Sequence, residues 1–74
     1  MVFDKIKKII KDELGFENAV LTLDSTLEDI GADSLDAVEL IMAIEEEYNI
    51  EITEADATKF TTLGSIVTCV ETKI

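Results

Sequence analysis

Apolar residues recur at helical spacing along this chain, beginning at its second residue. Over residues 2–14, four large apolar side chains fall three or four positions apart: Phe3, Ile6, Ile10 and Leu14. That spacing predicts an amphipathic helix. Gly15 follows where helices commonly end in a left-handed residue, so we expect the first helix to end there.

The clearest amphipathic pattern covers residues 34–48. At about 100° per residue, one side of this helix collects apolar residues and forms the predicted core face: Ala37, Leu40, Ile41, Ile44 and Tyr48. The opposite side carries Leu35 and Met42 among carboxylates. Two large apolar side chains inside an acidic rim favour a docking surface, where apolar contact supplies affinity and charge guides encounter.

The connection over residues 15–33 is long for so small a protein. Because it carries several apolar residues, we expect it to lie across the bundle. Ser25 and Glu28 fit a capping box, which predicts one helical turn over Leu27–Ile30 with both of those residues packed inward.

Two shorter patterns follow the second helix. Thr53 is a favourable cap for a short third helix over residues 54–59. Phe60 should point back to the core, and Thr61 or Thr62 should cap a last helix. The buried stripe of that helix is predicted to contain Leu63, Ile66, Val67, Val70 and Ile74.

Charge narrows the range of partners. The 74 residues carry a net charge of −11, and no basic residue lies between Lys11 and Lys59. Such a field repels nucleic acid and anionic membranes and attracts proteins with basic patches. No apolar run approaches the ~20 residues of a membrane span. A single cysteine cannot form an internal disulfide, so we expect a reducing cytoplasm. We also expect a monomer.

The chain contains no histidine, no glycine-rich phosphate loop and no CxxC pair. The usual general base is therefore missing, which argues against an enzyme. The acids near Asp29, Asp33 and Asp36 do not follow the spacing of an EF-hand, so a dedicated metal site is not expected.

The run Ser25–Asp36, with Gly31-Ala32-Asp33-Ser34-Leu35-Asp36 at its end, resembles acyl carrier proteins of type II fatty acid synthesis. The resemblance continues through Val38-Glu39-Leu40 and Glu45–Glu47 and covers nearly the whole chain. It implies an all-α four-helix bundle, with a short third helix and a long first loop, in a single carrier domain over residues 1–74. It also implies 4′-phosphopantetheine attached to Ser34, which would carry growing acyl chains as thioesters.

The same resemblance implies two kinds of partner. A phosphopantetheinyl transferase and synthase enzymes with basic patches would dock on seven residues: Asp33, Leu35, Asp36, Glu39, Met42, Glu45 and Glu46. The acyl chain would enter a cleft in the bundle. We expect that cleft to be lined by Ile41, Ile44, Phe60, Leu63 and Val67.

Two alternatives remain open at this level. The carrier could serve a polyketide, lipid A or other specialised acyl pathway. The chain could instead be an unmodified acidic helical adaptor, because aspartate and serine are also favoured helix caps. In that case Ser34 would be only a cap, and Ser34→Ala would cost roughly 1 kcal/mol of helix stability.

Overall fold

A computed structural model describes residues 1–74 and shows an all-helical bundle, which confirms the predicted fold class. Four helices follow one another, and they are listed here in chain order: α1 over Val2–Lys8, continued by a π-helical turn over Ile9–Glu13; α2 over Ser34–Tyr48; α3 over Glu54–Ala57; and α4 over Leu63–Lys73. α1 packs against α4, and the π-helical turn contacts α2.

The first helix changes its winding over its last five residues. The Leu14 amide donates to the Ile9 carbonyl at 3.2 Å, a bond that spans five residues, whereas an α-helix spans four. Ile9 and Ile10 are adjacent in sequence and are both buried. Gly15 follows with φ +83°, so the predicted left-handed end of this helix is confirmed.

The long loop lies across the start of α4, as expected. The carbonyls of Leu23 and Ser25 accept hydrogen bonds from the Gly64 and Leu63 amides at 2.8 and 2.9 Å. These amides belong to the first turn of α4, where no helical partner exists for them. A Cβ on Gly64 would stand 3.0 Å from the Leu23 oxygen, so the loop's close approach depends on a glycine.

The capping box in this loop forms one residue later than predicted. Thr26 and Asp29 exchange side-chain-to-backbone hydrogen bonds of 3.0 Å. Ser25 is already engaged, since its Oγ accepts from the Thr22 amide. The segment that follows is a hydrogen-bonded turn and not a helical turn, although Leu27 and Ile30 do pack against the core.

The predicted caps of the last two helices are confirmed, whereas the predicted ends of both helices are wrong. Thr53 caps α3 and Thr62 caps α4, each in a reciprocal capping box. α3 ends at Ala57, two residues earlier than predicted. Ile74 is 63% exposed, because α4 ends at Lys73 and its last residue lies beyond the packed stripe.

The core contains only aliphatic side chains, and no polar group is buried in it. Its members come from α1 with its π-helical turn, α2, the α2–α3 loop and α4: Val2, Ile6, Ile9, Ile10, Leu40, Ile44, Ile52, Leu63, Ile66, Val67 and Val70. None of the helices has the length and apolar character that crossing a bilayer requires.

One ion pair joins α3 to α4. The Lys73 ammonium lies 3.0 Å from the Asp56 carboxylate. The hydrogen bond from Lys73, together with hydrogen bonds from Thr53, holds the pKa of Asp56 below its ordinary value of 3.8. The same contact raises the pKa of Lys73.

This ion pair predicts an acid-dependent loss of stability. A carboxyl whose pKa is lowered on folding stabilises the fold above its ordinary pKa, and the contribution disappears as pH falls through the lowered value. Lys73→Met should therefore lower the melting temperature at neutral pH, and the difference from the parent should shrink as the pH falls through the lowered pKa of Asp56. Lys59→Met is the control, because Lys59 makes no ion pair. A Lys73→Met difference that stays constant down to the acid limit would contradict this account.

Candidate functional site: the amino end of the second helix

The N-terminus of α2 is fixed by a complete capping box. The Asp33 carboxylate accepts from the Asp36 amide at 3.0 Å, and the Asp36 carboxylate accepts from the Asp33 amide at 3.1 Å. Gly31, with φ +86°, makes the turn that leads the chain into this box. The start of α2 is therefore held by local hydrogen bonds, since no residue before Leu40 on this helix is buried.

Ser34 is the first residue of α2 and is exposed. Its hydroxyl makes no hydrogen bond within the protein, and neither do the amides of Ser34 and Leu35. Asp33 is the cap, so the interpretation of Ser34 as only a helix cap is wrong. The arrangement leaves an accessible hydroxyl beside two amides that point out of a helix N-terminus.

These features fit an attached phosphodiester. Free amides and the helix dipole favour an anion at a helix N-terminus. The carboxylates of Asp33 and Asp36 oppose that effect, yet both already accept backbone hydrogen bonds. Because the group would be joined through a covalent bond to Ser34, its retention would not depend on a favourable net field.

The outer face of α2 exposes apolar side chains among carboxylates. Leu35 is 65% exposed, Met42 61% and Val38 51%. Val38 was not among the predicted docking residues, although its spacing of three from Leu35 and four from Met42 places it on the same side. Asp33, Glu39 and Glu46 are exposed beside them, and none of their carboxylates forms an ion pair.

Glu45 plays a different part from its predicted docking neighbours. Its carboxylate accepts a hydrogen bond of 2.8 Å from the Ile52 amide in a partly buried position. Asn49 turns the chain at the end of α2 with φ 54°. Glu45 thus ties the loop after α2 back to the helix.

An apolar cavity of about 250 Å³ begins one helical turn after Ser34. Its lining comes from α2, α3, α4, the loop before α2 and the segment between α3 and α4: Leu27, Ala37, Val38, Leu40, Ile41, Ala57, Phe60 and Ile66. Of the five predicted cleft residues, Ile41 and Phe60 line this cavity. Ile44 and Leu63 are instead fully buried in the core, and Val67 borders a separate groove beside α1.

Other candidate chemistry is sparse. Cys69 is half-buried, and burial raises the pKa of its thiol, with the Asp56 charge adding to the shift. A thiol held in its neutral form is a poor nucleophile. No three carboxylates or thiols come together in a way that would hold a metal ion.

Comparison with known proteins agrees with this geometry. The model of the family described as "Phosphopantetheine attachment site" matches residues 4–70. An acyl carrier protein of Clostridium acetobutylicum is 48% identical over 68 residues, which cover 90% of this chain and 88% of that protein. The chain belongs to the acyl carrier protein family. As a member of it, the chain is a carrier and not an enzyme, and its cofactor is phosphopantetheine.

Two further comparisons concern a second relative and the fold. An acyl carrier protein of Clostridium perfringens is 52% identical to this carrier over 67 residues, covering 89% of the chain and 88% of the relative. The crystal structure of an acyl carrier protein from Thermotoga maritima superimposes with a TM-score of 0.88. The two chains share 22% identity, and the superposition covers 97% of this chain and 85% of the Thermotoga maritima chain. The likeness therefore supports the helical fold of the carrier.

The capping geometry predicts different costs at two adjacent residues. Asp33→Ala should lower the free energy of unfolding by about 1 kcal/mol, because the Asp36 amide loses its acceptor. Asp33→Asn removes the same charge but keeps an acceptor, and it should stay close to the parent. Ser34→Ala should stay within about 0.5 kcal/mol. Urea unfolding followed by circular dichroism measures all three. A cost at Ser34 equal to that at Asp33 would mean that the serine does cap the helix.

Proposed function

We propose that Ser34 carries phosphopantetheine and that the protein holds growing acyl chains for fatty acid synthesis. The observation that carries this proposal is the exposed Ser34 hydroxyl, without a hydrogen bond, at the amino end of a capped helix. When bound, phosphopantetheine supplies a terminal thiol that holds the acyl group as a thioester. The family membership and the two clostridial relatives support this role.

Ser34 suits attachment by a separate enzyme. Ser34 lies between the two residues of the capping box, Asp33 and Asp36, so the backbone presents the hydroxyl in a fixed position without burying it. The chain has no histidine to activate this serine. A modifying enzyme must therefore supply the base, and exposure of the hydroxyl makes that approach feasible.

The apolar cavity is the proposed shelter for the acyl chain. Its lining contains apolar side chains only, and its α2 wall begins at Ala37 and Val38, one turn from Ser34. Moving methylene groups out of water into such a space is favourable by about 0.8 kcal/mol for each group that becomes fully buried. The carrier would thereby keep the chain from water between encounters with enzymes.

The outer face of α2 is the proposed docking surface. Leu35, Val38 and Met42 offer apolar contact, and the unpaired carboxylates around them attract basic partners. Charges of this kind raise association rates more than they raise affinity, which suits a carrier that must leave each enzyme again. We place this activity in the cytoplasm. We also expect a monomer, because a net charge of −11 on each copy of the chain opposes self-association.

The first experiment is intact mass spectrometry after incubation with coenzyme A and a phosphopantetheinyl transferase. The parent should gain one phosphopantetheine, as the Ser34 Oγ–phosphorus bond forms and the pyrophosphate bond of coenzyme A breaks. Ser34→Ala should gain nothing, whereas Ser25→Ala should gain the group like the parent. No gain by a folded, unmodified parent, with a transferase active on another carrier, would favour the acidic adaptor.

The docking surface is tested by reversing one charge. Glu39→Lys should slow association with the transferase several-fold at low salt, and the effect should shrink as salt screens the field. Glu17→Lys changes the net charge equally at an exposed loop position outside α2, so it should have a much smaller effect. Stopped-flow mixing, with Ser34→Ala as the background to prevent reaction, gives the rates. Equal slowing by both variants would show that net charge acts and that this face does not.

A further inference from the structure

Two cavities have Phe60 in their linings. The first is the apolar cavity of about 250 Å³ that begins beside Ser34. The second, of about 440 Å³, lies between α3 and α4, and most of its lining residues are polar. Its other lining residues are Asp56, Lys59, Ser65, Thr68, Cys69 and Thr72. Phe60 is the residue that the two linings have in common.

We propose that Phe60 sets the length of acyl chain that this carrier shelters, by closing the apolar cavity against the polar one. The proposal rests on the function proposed above, in which Ser34 bears the chain. It adds a determinant of chain length to that function.

The size of the apolar cavity gives the expected limit. A water molecule accounts for about 30 Å³ of liquid volume, and a methylene group is of similar size. A space of about 250 Å³ therefore holds a chain of about eight carbons. A longer chain must displace the Phe60 ring or leave its remaining carbons in water.

Phe60 is held on both sides by backbone hydrogen bonds. Its own amide donates to the Ala57 carbonyl at 3.1 Å. The next two amides, of Thr61 and Thr62, both donate to the Ser65 Oγ at 3.0 Å. The ring also packs against the core. These anchors fix its backbone between the end of α3 and the cap of α4, so the partition is part of the folded structure.

An acyl chain gains less free energy in the second cavity than in the first. Hydroxyl groups of Ser65, Thr68 and Thr72 and the charged groups of Asp56 and Lys59 border it. Apolar groups gain free energy from contact with apolar surface, and separating polar groups from water carries a cost. In the parent, carbons beyond Phe60 would have to displace its ring to reach a lining that is less apolar than that of the first cavity.

The test measures how acyl length stabilises the loaded carrier. The parent is loaded with chains from butanoyl to tetradecanoyl, and loading is confirmed by intact mass before any melting curve is recorded. The melting temperature of the parent should rise with length to about octanoyl, the length set by the cavity volume, and then stay level. In Phe60→Ala, measured against its own unacylated form, the rise should continue through dodecanoyl.

A matched control separates the partition from general loss of packing. Phe16→Ala truncates another half-buried aromatic that packs against the same core but lines neither cavity. It should level off at the same length as the parent. If Phe60→Ala does not fold, Phe60→Leu serves instead, and its levelling point should move by a smaller amount in the same direction.

Amide chemical shifts supply a second readout. With a dodecanoyl chain, the Thr68 and Cys69 amides should shift in Phe60→Ala and stay unchanged in the parent. A parent whose melting temperature rises unbroken to tetradecanoyl, or a Phe60 variant that levels off with the parent, would overturn the proposal. Failure of Ser34 to load would instead contradict the proposed function, and it would be seen by mass at the first step.

Discussion

The core of this fold depends on apolar burial alone, because its eleven buried side chains are all aliphatic and no buried polar group directs their packing. A non-directional core of this kind orients helices less strictly than a hydrogen-bonded one. The carrier compensates at the helix ends, where Asp33, Thr53 and Thr62 each complete a capping box. Only Leu40 and Ile44 anchor α2 in the core, so its exposed first turn owes its geometry to Asp33 and Asp36.

Charge divides the surface of the bundle into two regions. Four of the six lysines lie on α1 and its π-helical turn, where Lys5 reaches Glu47 at 3.8 Å and Lys7 reaches Asp4 at 3.6 Å. The outer face of α2 contains no cation that could neutralise its carboxylates. The region with unpaired acids is thus the region that exposes Leu35, Val38 and Met42. Apolar contact and long-range attraction are offered by the same helix that begins with Ser34.

Local sequence signals predicted the helices well. The bounds of α2, the left-handed Gly15 and the caps at Thr53 and Thr62 all depend on residues a few positions apart. The capping box of the long loop was predicted less reliably, because two neighbouring residues could each have formed it. Ser25 and Thr26 are both favourable caps, and the choice between them depends on Ser25 also binding Thr22 and, through its carbonyl, the distant Leu63.

The cleft was predicted less well, because it depends on how helices cross. Helical spacing identifies the apolar side chains of α2 and α4 but does not say which of them fill the core and which border a space. Ile44 and Leu63 fill the core completely, whereas Ala37 and Val38 leave room because the first half of α2 is not packed as tightly. Val38 was not predicted for either face of α2 for a related reason: it lies at the edge of the outer face and contributes both to that surface and to the cavity.

Gly64 shows how the long loop is fitted against α4. In an ordinary helix, alanine in place of glycine gains about 1 kcal/mol. Here a methyl group would press on the Leu23 carbonyl, which stands 3.0 Å from the position of its carbon. Gly64 therefore gives up helix propensity for a loop contact: because it lacks a Cβ, the Leu23 carbonyl can reach the first turn of α4.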